Sequence, residues 1–354
     1  MQKNNVDFFK EITTIFNSNI PFVVFRKPNE NEVTAFCQKT DELFELKSFD
    51  QSGFIFAPFY KNELKIIFPI KECNVFTIKG AKDFDVSKEK TTLKSTSNKS
   101  EELNHISIVK KAVEFIKNDK AKKIVLSRKE ILESDGIDLI DSLKKMLNKY
   151  KNAFVYVWFH PKIGLWMGAT PECLITIKNN NLKTMALAGT QKFNGSLDVI
   201  WKDKELHEQQ FVTDYIVENI EDKLIEIKTE GPFTVQAGSL LHLRTDISGT
   251  LKSSNLLENL INSLHPTPAI CGIPKDVATT YILKNEEYMR TYYAGYLGEL
   301  NMDDSTNIYV NLRCMSIKNN TAEIYVGGGI TSESIPEKEW LETVSKTEIM
   351  KSVL

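Results

Sequence analysis

Apolar positions in this chain alternate along short runs more often than they recur at helical spacing. The runs KIVLSRKEI, AFVYVWF, GLWMGAT, CLITIK, LKTMALAG, HLRTDISGTL, AGYLGEL, NIYVNLRCMSI and TAEIYVGGGI all read as strands. The first part of the chain opens helix-like and continues with short strands such as PFVVF and LKIIFPI. Helical spacing covers Ile106 to Lys117, Asp203 to Ile227, Asn255 to Leu264 and Ser334 to Val353. In the last of these, Ser334 and Glu337 have capping-box spacing. Strands outnumber helices and often follow one another directly. That predicts an α+β fold with largely antiparallel pairing, not repeated βαβ units. Ser87 to His105 (SKEKTTLKSTSNKSEELNH) is almost wholly polar, cannot bury a core face, and is expected to be an exposed connection. It marks residues 1–104 off from residues 105–354, with the two parts expected to form one structural unit. No repeat at a fixed period is visible.

Composition narrows the class. Of 354 residues, 42% are hydrophobic and 26% charged, as in an ordinary soluble globular protein. Lys and Arg number 45 against 47 Asp and Glu, a net charge of −2, so charge gives no reason to expect a nucleic acid or an anionic membrane as partner. Cys37, Cys73, Cys173, Cys271 and Cys314 are scattered with no C-x-x-C pair, which argues against a disulfide framework or structural zinc and suits a reducing compartment. The N-terminus lacks a basic region followed by an apolar run. The longest apolar stretches, such as Phe22 to Phe25 and Phe54 to Phe59, fall far short of the ~20 residues of a spanning helix. The expectation is a cytoplasmic protein without a membrane partner.

Two helices carry candidate chemistry. With Glu205 as zero and about 100° per residue, Glu208 falls near 300°, Tyr215 near 280°, Val212 near 340° and Ile216 near 20°. Both carboxylates therefore share the apolar side, where an unpaired charge costs several kcal/mol and calls for a cation or protons. The alternative is an exposed first turn whose glutamates favour the helix N-terminus. In the last helix Glu339, Glu342 and Lys346 form a stripe turned away from Trp340, Leu341 and Val344, which by pattern alone is a salt-bridged surface. Two i, i+3 glutamate pairs nonetheless suit a hard cation such as Mg2+.

Gly327 to Gly329 end a strand, either for a tight bend or so that a ligand can approach the backbone. Gly189-Thr190 offers a similar step, and no nucleotide-binding glycine motif is present. Arg290 and Arg313 could grip carboxylates or serve as ordinary ion-pair partners. His242, in LLHLR, has the surroundings of a core histidine.

These segments together resemble the chorismate-utilising enzymes, a family of isochorismate synthases, salicylate synthases and the large subunits of anthranilate and aminodeoxychorismate synthases. The motifs, in family order, are KIVLSR (Lys123 to Arg128), GATPE (Gly168 to Glu172), LAGT (Leu187 to Thr190) and KELHE (Lys204 to Glu208). There follow HPTPAICGIP (His265 to Pro274), YYAGYLG (Tyr292 to Gly298), VNLRCM (Val310 to Met315) and the run from Gly327 to Lys346. Each is weak alone; their shared order carries the resemblance. It implies the family's α+β fold, two antiparallel sheets packed face to face with helices outside.

The resemblance also implies roles. Glu208 and Glu342 correspond to Mg2+ ligands, with Glu205 and Glu339 reaching the metal's waters. Gly189, Thr190 and Lys346 would support the ring carboxylate of chorismate. Arg313, Tyr293 and the backbone at Gly327 and Gly329 would grip the enolpyruvyl carboxylate, and His242 and Ala269 would also line the substrate site. Lys123 stands where isochorismate and salicylate synthases place a base that activates water, and Glu172 where they place the acid. Ala188 replaces a nucleophilic lysine, and Ala269 matches isochorismate synthases. Tyr293 also occurs in the salicylate-forming branch.

The implied activity is Mg2+-dependent isomerisation of chorismate to isochorismate, feeding menaquinone or siderophore synthesis. Alternatives are salicylate synthase, anthranilate synthase component I and a non-catalytic chorismate-binding paralogue. A monomer or weak homodimer is expected, with no obligate glutamine amidotransferase.

Overall fold

The computed structural model describes residues 5–80, 83–87, 92–95, 99–237 and 240–354. Among the described residues the alternating runs pair into two sheets, one of ten strands and one of eight, and every pairing is antiparallel. The first part of the chain contributes to both. Phe22–Arg26 pairs with Phe154–His160 in the larger sheet, and Gly53–Ala57 pairs with Tyr296–Met302 in the smaller.

Period-two alternation explains the layering. In Phe22–Arg26, Val23 and Phe25 enter one core while Phe22 and Val24 enter the other. In Phe154–His160, Phe154, Tyr156 and Trp158 likewise separate from Val155, Val157 and Phe159. The first core lies between the sheets, where aromatic rings meet across the interface: Phe56 with Trp158 at 4.6 Å and Phe154 with Tyr309 at 4.3 Å between centroids. The second core is closed from outside by the helices Asn5–Asn17 (Phe8, Ile12) and Leu139–Lys149 (Leu143, Met146, Leu147). No helix among the described residues is long and apolar enough to cross a membrane.

Several sequence expectations need correction. The helix from Asp203 ends at Ile220, and Leu224–Ala237 is an edge strand of the smaller sheet, not helix. There Leu224 is buried and Ile227 packs against the inter-sheet core on either side of a register slip, which sets them three apart as a helix would, while Ile225 between them is exposed. The polar stretch Ser87 to His105 is not one exposed connection. It contains the short strand Leu93–Ser95 and the start of the helix Lys99–Lys117, with His105 buried beside Trp340; residues 88–91 and 96–98 fall outside the described residues. The run NIYVNLRCMSI is two strands in different sheets, Ser305–Val310 and Cys314–Lys318. The final helix is Pro336–Lys351, started by Pro336 without a side-chain cap; Ser334 instead accepts the Thr331 N–H at 3.1 Å.

Candidate active site

Every residue to which the resemblance gives a catalytic, substrate-binding or metal-ligating role lines one cleft of about 560 Å3, a size that suits a small ligand. Three strands and two helices form most of it. Lys123 opens the strand Lys123–Ser134, which pairs along Ile124 to Glu133 with the glycine strand Thr321–Ile330. Gly327 to Gly329 stay in register opposite Ser127, Leu126 and Val125, so the triplet makes no bend.

Its glycines make room instead. A Cβ on Gly327 would stand 2.9 Å from the Tyr293 hydroxyl, one on Gly328 3.3 Å from a Glu339 carboxylate oxygen, and one on Gly329 2.8 Å from Lys123 Cε. Each glycine thus gives space to a different candidate side chain.

The third strand, Asn181–Lys192, slips register between Ala188 and Gln191, and Gly189 in this bulge has φ +65°. The Gly189 carbonyl points at His242 Nδ1 at 2.9 Å, with Thr190 Oγ1 at 3.3 Å from the same nitrogen. A carbonyl only accepts, so Nδ1 carries the proton. Burial holds His242 below the usual imidazole range and therefore neutral at pH 7. His242 lines the cleft and is not an enclosed core residue.

On the helix Asp203–Ile220, Glu205 and Glu208 both line the cleft, while Val212 and Ile216 anchor the same side in the inter-sheet core. Both readings of the first turn apply, since Glu205 also accepts the Lys202 backbone N–H at 3.1 Å as a helix cap. The last helix reverses the usual polarity. Its Glu339, Glu342 and Lys346 face the cleft and Leu341 is 63% exposed.

Charges are paired within the cleft. Lys123 Nζ lies 3.1 Å from Glu208, and Lys346 Nζ lies 2.7 Å from Glu342 and 2.9 Å from the Gly327 carbonyl. Burial raises the Glu339 carboxyl, and its neighbour Glu342 adds to the rise. Among the described residues no three His, Cys, Asp or Glu side chains come together as a ready cation site. The donors themselves, four carboxylates on two helices facing one cleft and one of them already pushed toward its neutral form, are of the hard-oxygen kind that a divalent cation takes.

Glu172 sits where the chain turns into Cys173–Lys178. Burial pushes its carboxyl up to about 7, against the opposing pull of a Thr267 hydrogen bond and of Lys123 and Arg313. Thr267 Oγ1 donates to it at 3.4 Å. Thr267 lies in the quoted HPTPAICGIP but carried no signal of its own, because its partner is 95 residues away. Ala269 lines the wall, and Ala188 lies beside it with 8% of its surface exposed. Tyr293 is buried, its phenol pushed up by burial and so protonated, with its ring stacked on Tyr325 at 5.5 Å.

Arg313 stands at the crossing between the sheets with φ +47°. Buried Asn311 pins that crossing: it accepts from the Tyr156 hydroxyl at 2.7 Å and donates to the Tyr292 carbonyl at 2.9 Å. Arg290, the other arginine candidate, is fully buried outside the cleft in an ion pair with Glu286. Lys204 and Glu333, not singled out from the sequence, pair at 2.6 Å and also line the cleft.

A family model described as "Chorismate binding enzyme" matches residues 69–354. The isochorismate synthase MenF of Bacillus subtilis is 30% identical over 256 residues, 70% of this chain and 54% of the relative. The isochorismate synthase EntC of Escherichia coli is 28% identical over 258 residues, 70% of this chain and 66% of the relative. The match thus spans between half and two thirds of these relatives' length. Among solved structures, the menaquinone-specific isochorismate synthase MenF of E. coli superposes with a TM-score of 0.79 at 20% identity, over 94% of this chain and 88% of that one. Anthranilate synthase component I of Streptococcus pneumoniae superposes at 0.70 and 19% identity, over 89% and 83%. Two activities share this fold, so the fold alone selects neither.

Proposed function

We propose, on the premise that this chain belongs to the family of chorismate-binding enzymes, that it is an isochorismate synthase. The observation that carries this reading is Lys123 and Glu172 lining one cleft, with burial pushing the Glu172 carboxyl up to about 7 so that it can carry a proton near neutral pH. Water gives a proton to Lys123 as its oxygen bonds to C2 of the chorismate ring. The ring double bonds shift, the C4–O bond breaks, and the departing hydroxyl takes the Glu172 proton and leaves as water. Composition is unchanged, and a proton passing from Lys123 back to Glu172 resets the pair. Lys123 must be neutral when it accepts the proton, so its pairing with Glu208 has to loosen on substrate binding.

Glu208 and Glu342, with Glu205 and Glu339 behind them, would hold Mg2+, which when bound neutralises and orients the ring carboxylate. Gly189, Thr190 and Lys346 border that end of the cleft, and Arg313 with the protonated Tyr293 offers donors for the enolpyruvyl carboxylate. Neutral Ala188 forms no covalent link to the ring and leaves room for water. No amidotransferase partner is called for, because water is the nucleophile.

The test is incubation with chorismate and Mg2+ in the absence of ammonia, with products separated by chromatography. Isochorismate is expected, formed reversibly. Salicylate with stoichiometric pyruvate would move the protein to the lyase branch, and anthranilate formed only on adding ammonium would overturn the reading.

A further inference from the structure

Arg290 does not line the cleft, yet its guanidinium bonds two residues that do and approaches the ring of a third. It donates to the Val125 carbonyl at 2.8 Å and to the Ile270 carbonyl at 2.8 Å, and lies 5.9 Å from the ring centroid of Tyr293. Each contact sits close to a residue of the proposed site: Val125 is two residues from Lys123, and Ile270 follows Ala269. The Tyr293 ring also stacks on Tyr325, itself stacked on Trp166 at 5.1 Å.

The carboxylate partner is equally specific. Glu286 takes Arg290 Nε at 2.8 Å and Nη2 at 2.5 Å, a bidentate pair with both side chains essentially without solvent contact. The same Glu286 Oε1 accepts the Ser127 N–H and hydroxyl, each at 2.8 Å.

The sheet explains why these groups need a partner. The two-residue strand Gly272–Ile273 pairs only with Lys123 and Ile124, and the Cys271 carbonyl takes the Val125 N–H. Beyond that point this edge of the Lys123 strand has no strand beside it until Leu93–Ser95 pairs with Leu132 to Ser134. Arg290 meets the next carbonyl, Val125, and Glu286 meets the next N–H, Ser127. The ion pair therefore continues a β ladder with side chains.

We propose that the Arg290–Glu286 pair is a positioning element, fixing Lys123 and Tyr293 relative to the wall at Ala269. A buried ion pair is a poor source of stability, since well-packed apolar replacements of both partners are often neutral or better. What such replacements lack here is the fork that holds three segments in one register. The proposal rests on the roles given above to Lys123 and Tyr293.

The test uses Glu286→Leu/Arg290→Met, which removes both charges together, and Arg290→Lys, which keeps the charge without the planar fork. In the folded double variant, kcat for chorismate should fall about 10²-fold, the cost of roughly 1 Å of misplacement, with KM little changed. Arg290→Lys should lie between it and wild type, and it carries the test if the double variant does not fold. A purely structural pair would lower the melting temperature and leave kcat per folded molecule at the wild-type value; that result overturns the proposal. Hydrogen–deuterium exchange supplies a readout independent of activity. Residues 123–128 should exchange at least ten times faster in the variants while residues 154–160 stay unchanged, and unaltered exchange at 123–128 would equally overturn it. A wild-type protein that leaves chorismate untouched defeats the isochorismate synthase reading, and exchange then decides this proposal alone.

Discussion

Glu172 illustrates how burial sets chemistry at a single residue. Its carboxyl, ordinarily near 4.5, is raised to about 7 by loss of water around the charged form. Between those values the folded protein keeps a proton that the unfolded chain has released. Stability therefore falls as pH rises through that window, by an amount on the order of 3 kcal/mol. Glu172→Gln removes the titration. In urea unfolding the variant should gain on wild type between pH 4 and pH 8, and an equal stability difference at both ends would contradict the assignment. It should also lose turnover by ~10²–10⁴, as should Lys123→Ala. For wild type, kcat/KM should decline as pH rises past about 7, because the acid is then ionised. The sequence offered Glu172 only through the GATPE motif. Its proton depends on burial outweighing the opposing Thr267 hydrogen bond, and neither is visible in a linear pattern.

At the scale of elements, the glycine strand and the last helix were the hardest to read. Three adjacent glycines carried two possible meanings, a bend or an approach to ligand, whereas the structure shows space reserved for Tyr293, Glu339 and Lys123. Gly329→Ala should leave the fold intact, since its new methyl meets the end of a flexible lysine, and should lower kcat by about 10²-fold by moving that amine. Gly328→Ala, with its looser 3.3 Å contact, should do least of the three. Steady-state kinetics on the alanine series checks that order. The helix Pro336–Lys351 read as solvated because its polar stripe is broad; that stripe faces a wet cleft, which a hydropathy pattern does not distinguish from bulk solvent. Activity should require Mg2+, and Glu208→Ala or Glu342→Ala should abolish it with the circular dichroism spectrum unchanged. Full turnover in excess chelator would remove the metal from the mechanism. The break in NIYVNLRCMSI was equally hidden, since no Gly or Pro marks it and the crossing rests on tertiary bonds, among them those of Asn311.

For the whole molecule, alternation alone was enough to predict the α+β class, because half-buried strands advertise a period of two. What it could not give was partnership. Phe22–Arg26 and Phe154–His160 are adjacent although more than a hundred residues separate them, and nothing local in either run names the other. The cleft is likewise a product of long-range pairing, as of Lys123–Ser134 with Thr321–Ile330, since its fifteen candidate residues are scattered from Lys123 to Lys346. Order of motifs, through the family resemblance, located them where periodicity did not.

The central claim is that water, deprotonated at Lys123, enters the ring at C2. Turnover of chorismate in water enriched in oxygen-18 tests it most directly, with the product examined by mass spectrometry. The account predicts isochorismate carrying one labelled oxygen at its C2 hydroxyl, with the C4 oxygen lost to solvent. Isochorismate formed at the same rate without label would contradict it.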